Sequence, residues 1–177
     1  MELEDKIKRN IREIMDYPKP GVLFKDITPM LANPSLVHEV VNELVRCFEP
    51  QHVDAIVGVE ARGFIFGSIL AHMLNCPFIP VRKSGKLPFK TIQQEYALEY
   101  GTASVEMHTD AVKQGWKVLI HDDLLATGGT AGAAARLVQQ SGAEVIGFSF
   151  IINLSFLAGE KNLIEQFGIK PVYLVNY

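Results

Sequence analysis

The sequence predicts an α/β protein, a single domain with a mainly parallel sheet flanked by helices. Three observations carry this. Short, continuous apolar runs such as "VDAIVGV" (53–59), "WKVLIH" (116–121) and "EVIGFSFII" (144–152) lack the polar alternation of a half-exposed strand, so they read as strands buried on both faces. Segments with helical spacing of apolar residues separate them, and that order favours parallel pairing with helices on both faces. The 177 residues hold no repeat, low-complexity tract or linker, so 1–177 reads as one domain.

The elements follow in order. Leu3, Ile7, Ile11 and Ile14 recur at spacings of three and four, which predicts an N-terminal amphipathic helix ended by "YPKPG" (17–21). Residues 22–31, "VLFKDITPML", read as an irregular connector. Asn33-Pro34-Ser35 starts a second helix with an apolar stripe through Phe48. A strand at 53–59, a helix at 62–74 and a strand at 77–82 come next. The polar, poorly periodic stretch 84–96 reads as a mobile loop. "YALEYG" and "ASVEM" then read as two short, paired strands. A strand at 116–121, a helix at 130–141, a strand at 144–152, a helix at 156–167 and a strand at 171–176 complete the chain.

Composition excludes several classes. A net charge of −3 argues against nucleic-acid binding through a general basic surface. Cys47 and Cys76 stand far apart with no metal-ligand spacing, as expected of free thiols in a reducing compartment. The N-terminus "MELEDKIKRN" has no apolar signal region, and no apolar run approaches the roughly 20 residues of a membrane span. A cytoplasmic protein with no membrane or nucleic-acid partner is expected.

Ligands of such sheets bind beyond the carboxyl ends of the strands, which directs attention to 58–63, 82–90 and 121–130. The last reads "HDDLLATGGT". Glycines in a loop that opens a helix let backbone N–H groups approach an anion, above all a phosphate. No Gly-Lys-Ser/Thr follows, and the spacing is not that of a dinucleotide loop. Asp122 and Asp123 would repel a phosphate at contact distance, so they must face hydroxyls, a metal, or both. A sugar phosphate meets both demands; a strand end with an Asp cap and a Gly turn is the plainer alternative for these residues alone.

"VLIHDDLLATGGT" resembles the 5-phosphoribosyl 1-diphosphate motif of the type I phosphoribosyltransferases, and its "DDLLATGGT" form is most similar to the adenine-specific members. The resemblance implies that Ala126, Thr127, Gly128, Gly129 and Thr130 cradle the 5′-phosphate. It places Asp122 and Asp123 at the ribose hydroxyls and a hydrated Mg²⁺ that the substrate and water hold. His121 departs from the apolar residue usual there and receives no role. "GVEARGFIFG" (58–67) is similar to the family's diphosphate loop, often with an unusual peptide bond, here near Glu60-Ala61; Arg62 would bind the diphosphate. Arg82, Lys83 and Lys86 of "VRKSGKLP" would meet the same group, some of them in a neighbouring subunit's site. Glu99 of "YALEYG" would be the catalytic carboxylate, and Tyr100 part of a closing hood.

"YPKPGVLFKDITPML" resembles the adenine-specific segment, part of a hood over about 1–34. By that resemblance Phe24 stacks on the purine, the backbone around Leu23 and Lys25 reads the ring edge, and Leu154 covers the opposite face. The implied reaction joins adenine to the phosphoribosyl group, giving AMP and diphosphate, in a homodimer that uses Mg²⁺. Arg62 would share the catalytic work with Glu99 by stabilising the leaving diphosphate. Hypoxanthine, guanine or xanthine enzymes are one alternative, disfavoured by the "PGVLFKDITPML" segment. A regulator that binds the same sugar diphosphate is another, disfavoured by the absence of spare length and basic charge.

Overall fold

A computed structural model describes residues 1–97 and 101–177. The chain forms two compact units, Met1–Glu43 and Leu44–Tyr177.

The first unit begins with α1 (Leu3–Arg9). This helix is shorter than its apolar spacing predicts, because Asn10 closes the last turn by donating from its side-chain amide to the Lys6 carbonyl at 2.9 Å. Ile14 therefore falls not on a helix but in β1 (Arg12–Ile14), which pairs antiparallel with β2 (Phe24–Asp26) and sets Glu13 directly opposite Lys25. The proline-rich turn between them is fastened by the Gly21 amide, which donates to the Asp16 carboxylate at 2.8 Å; the φ of +84° at Gly21 suits glycine. The expected connector 22–31 thus holds a strand and a short helix, α2 (Thr28–Leu31). Three residues of strand are too few to display a period, and the pairing comes from a partner beyond the turn. Helix α3 (Pro34–Phe48) starts where predicted: Pro34 opens it and the Asn33 side chain accepts the Leu36 amide at 3.2 Å.

The second unit contains, in order, β3 (Ala55–Val59), α4 (Gly63–Met73), β4 (Phe78–Lys83), β5 (Thr91–Ala97) and β6 (Thr102–His108). Then follow β7 (Lys117–His121), β8 (Leu124–Leu125), α5 (Gly129–Gln140), β9 (Glu144–Asn153), α6 (Gly159–Phe167) and β10 (Val172–Asn176). The sheet order is β10-β9-β7-β3-β4-β6-β5, with β8 beside the end of β9. From β10 to β4 every pairing is parallel, whereas β6 joins β4 and β5 antiparallel.

The buried apolar runs behave as read. Ala55, Val57 and Val59 of β3, Val118 and Ile120 of β7, and Phe148 and Phe150 of β9 form one core with Ala131, Ala134 and Val138 of α5. The alternate residues face α4: a Cβ at Gly67 would stand 3.0 Å from the Phe78 ring and 3.3 Å from the His121 ring. Alternation along each strand thus serves two helical layers.

The stretch 84–96 is not loop throughout, because Thr91–Ala97 is β5, paired along its length with β6. Its inward row is Ile92, Gln94 and Tyr96, and the polar Gln94 conceals the alternation. Gln94 meets α5 instead, accepting from the Gln140 side-chain amide at 2.8 Å.

Candidate active site

Strands β7 and β3 are neighbours, so the loops that leave their carboxyl ends stand side by side. The loop after β7 passes through β8 into α5, whose N-cap is Gly128 at φ +81°. Asp122 and residues 124–131 line a cavity of about 70 Å³ at that helix start. Glu60, Lys83, Tyr96, Asp122 and Thr130 line a second cavity of about 110 Å³. Asp122 and Thr130 belong to both, so a phosphate-sized space opens beside a space walled by the loop after β3 and a lysine of β4.

The adjacent aspartates differ. Asp122 lines both cavities and accepts the Asp123 amide at 2.8 Å. Asp123 turns inward, is 3% exposed, and its Oδ2 lies 3.0 Å from Arg62 Nε. Burial, then the charge of Asp123, pushes the Asp122 carboxyl well above its usual range. Burial also raises the Asp123 carboxyl, against the opposing charge of Arg62. An acidic pair with one member buried, the other on the cavity wall and one nearby arginine is short of positive charge, and a hydrated hard cation would supply it. Among the described residues no trio of His, Cys, Asp or Glu could cage a metal, so such a cation would bring most of its ligands with it.

Arg62 caps α4, directly after a cis Glu60–Ala61 peptide. Ala61 is exposed. Glu60 holds the cationic strand end: Arg82 Nη2 donates to its Oε1 and the Lys83 amide to its Oε2, both at 2.9 Å. The Arg82 hydrogen bond is the main cause that keeps the Glu60 carboxyl below its usual range. Arg82 also donates to the Lys86 carbonyl at 3.0 Å, while Lys86 itself is exposed.

The cradle at 126–130 is tightly supported by α6. Asn162 donates from its side-chain amide to the Thr127 carbonyl at 3.0 Å. A Cβ at Gly159 would stand 2.2 Å from the Ala126 carbonyl, and one at Gly128 would stand 3.2 Å from the Gly159 carbonyl. Tyr96 closes on the other side, 3.1 Å from where a Cβ at Gly129 would lie. Sequence reading did not single out Asn162, Gly159 or Tyr96; the glycine opening α6 was the one visible hint.

His121 sits below the site, fully buried, with its Nδ1 3.1 Å from Ser149 Oγ. Burial lowers its pKa to about 3, so it stays neutral. Leu154, after β9, is buried at 8% exposure. In the first unit, Leu23 is exposed, Phe24 meets Tyr17 edge-to-face at 5.0 Å, and the buried Lys25 pairs with Glu13. Glu99 and Tyr100 lie outside the described residues.

Fold and site together define an α/β protein with an anion cradle and an adjacent acidic pair at the carboxyl edge of a parallel sheet. A family model described as "Phosphoribosyl transferase domain" matches residues 30–170. The chain is 53% identical over 170 residues to an adenine phosphoribosyltransferase of Sorangium cellulosum, covering 96% of this chain and 85% of that one. It is 50% identical over 175 residues to that of Cytophaga hutchinsonii, covering 99% and 96%. The crystal structure of the Thermoanaerobacter pseudethanolicus enzyme superposes with a TM-score of 0.94 at 47% identity, covering 98% of this chain and 99% of that one. The Saccharomyces cerevisiae enzyme, solved with adenine and an imino-altritol bisphosphate, gives 0.88 at 35% identity, covering 97% and 98%. The chain belongs to the phosphoribosyltransferase family, in its adenine phosphoribosyltransferase branch.

Proposed function

We propose that the chain transfers the phosphoribosyl group from 5-phosphoribosyl 1-diphosphate to adenine, giving AMP and diphosphate in purine salvage. The observation that carries this is the sharing of Asp122 and Thr130 by two adjoining cavities. A sugar seated over Asp122 can then place its 5′-phosphate among Ala126, Thr127, Gly128, Gly129 and Thr130. Its diphosphate extends toward Glu60, Ala61, Arg62, Arg82, Lys83 and Lys86.

Diphosphate departure builds positive charge on the ribose carbon and negative charge on the leaving group. Arg62, Lys83 and Lys86 stabilise the leaving group. Asp122 accepts from ribose hydroxyls, and Asp123 holds Arg62 in place. Mg²⁺ bound to the diphosphate and water beside Asp122 and Asp123 would add charge neutralisation to the leaving group. Glu99 orients adenine and removes the ring proton, a step worth roughly 10²–10⁴-fold. The exclusion of water is assigned, on the family resemblance, to Tyr100, the hood of 1–34 and the loop that precedes β5. Phe24, the backbone at Leu23 and Lys25, and Leu154 are assigned to adenine on the family resemblance. The same resemblance supports one catalytic domain, a homodimer and a cytoplasmic location. Among the described residues no helix is long and apolar enough to cross a membrane.

Labelled adenine, hypoxanthine and guanine, each with phosphoribosyl diphosphate and Mg²⁺, test the reading. AMP from adenine alone is expected. Product from an oxopurine instead would overturn the base assignment, and product from none would overturn the enzyme. Glu99→Ala is expected to depress kcat far more than phosphoribosyl diphosphate binding; unchanged turnover would remove Glu99 from the mechanism.

A further inference from the structure

Glu106 lies in the middle of β6, 2% exposed, directly opposite Arg82 of β4 and Gln93 of β5. Its Oε1 accepts the backbone amides of Lys86 and Leu87, each at 2.8 Å. Its Oε2 accepts the Thr91 hydroxyl and the Gln93 side-chain amide, each at 3.3 Å. Burial by itself would raise this carboxyl, but hydrogen bonds from the Leu87, Gly85 and Lys86 amides and the Thr91 hydroxyl outweigh it and hold it below the usual range.

A buried charge is a costly way to fill a strand interior, and an apolar residue would serve packing better. Its donors explain the choice. The turn after β4 is closed by the Lys86 amide, which donates to the Lys83 carbonyl at 3.2 Å, while Arg82 grips the Lys86 carbonyl at 3.0 Å. Lys86 is therefore held from its amide side by Glu106 and from its carbonyl side by Arg82. Gly85, at φ +83°, lets the chain reverse tightly enough for adjacent amides to converge on one oxygen.

We propose that Glu106 is a positioning residue: its ionised carboxylate templates the 83–87 turn and so fixes where Lys83 and Lys86 meet the diphosphate. The proposal rests on the reading of this turn as a diphosphate site. Glu106 lines neither cavity, so it acts on the site through the turn.

Glu106→Gln keeps the side-chain size and one acceptor oxygen, but removes the charge and turns an NH₂ toward Thr91 and Gln93. The measurements are KM for each substrate, kcat, thermal midpoint, and calorimetric affinity for Mg²⁺-diphosphate. KM for phosphoribosyl diphosphate and Kd for diphosphate are expected to rise on the order of tenfold, with KM for adenine unchanged. In a Lys83→Ala/Lys86→Ala background, Glu106→Gln is expected to add nothing further. Losses that add in full, or that follow the thermal midpoint and fall on both substrates alike, would overturn the proposal. If the double lysine variant binds diphosphate less well but Glu106→Gln does not, the positioning role fails while the diphosphate site stands. If the lysine variant binds as the parent does, the diphosphate reading itself fails and takes the proposal with it. Should Glu106→Gln not fold, Thr91→Val/Gln93→Leu removes two of the donors, and the same selective rise in KM is expected.

Discussion

Arg62 Nε lies 3.0 Å from Asp123 Oδ2, and this contact ties the loop after β3 to the loop after β7. The arginine assigned to the leaving diphosphate is therefore also the partner of a 3% exposed carboxylate. Removing it strands that charge. Arg62→Ala is expected to lower unfolding free energy by about 2 kcal/mol, the arginine's partial exposure keeping the loss below that of a fully buried pair. Urea denaturation reads this. Asp123→Asn in the same background should restore most of the stability without restoring activity, which separates the structural use of Arg62 from the catalytic one.

Asp122 carries the opposite balance, a charge that the fold resists and the site needs. Its raised pKa means that the folded chain binds more protons than the unfolded chain from about pH 4 upward. Stability contributed by the protonated form is therefore present at low pH and lost as pH rises through the folded value. Asp122→Asn should abolish activity yet raise the urea midpoint at neutral pH, with a flatter pH dependence above pH 4. A variant less stable than the parent at pH 7 would contradict this.

His121 imposes a slope of the other sign. Its pKa is lowered from 6.5 to about 3, so the unfolded chain takes up a proton that the folded chain refuses. Stability rises with pH between those values, by about 1.4 kcal/mol per unit at the steepest, and is level above pH 6.5. His121→Leu/Ser149→Ala keeps the site apolar and removes the hydroxyl that would lose its partner. Equilibrium unfolding between pH 4 and 7 is expected to show a shallower loss on acidification than the parent, and an unchanged slope would mean that His121 is protonated in the fold.

How far the sequence could be read depended on how local each signal was. "DDLLATGGT" is contiguous, so the cradle, the acidic pair and the helix start were visible together. The parallel core was visible because strands buried on both faces leave unbroken apolar runs. β1 and β2 escaped because three-residue strands have no period; of β5 only the end at Tyr96 and Ala97 was read as a strand paired with β6, the rest escaping because Gln94 occupies an inward position in contact with α5. Glu106 looked like any strand acid, since its partners are mainly backbone amides that no residue type announces. The inequality of Asp122 and Asp123 was hidden for another reason: it depends on Arg62, 61 positions before Asp123 in the chain.

The support of the cradle by α6 yields the last prediction. A Cβ at Gly159 would lie 2.2 Å from the Ala126 carbonyl and 2.8 Å from the Leu125 side chain, and the nearer obstacle is backbone. Gly159→Ala must therefore push the start of α6 away from the loop that ends at Gly128. The Asn162 amide, which holds the Thr127 carbonyl at 3.0 Å from the same helix, would be drawn off with it. Overpacking of this kind costs roughly 1–3 kcal/mol, and displacement of the cradle should raise KM for phosphoribosyl diphosphate more than KM for adenine. Asn162→Ala removes only the hydrogen bond, so it should reproduce the selective KM effect at less cost in stability. Steady-state kinetics beside thermal melts of the two variants check this. A Gly159→Ala enzyme with parental KM would show that the cradle holds its shape without α6.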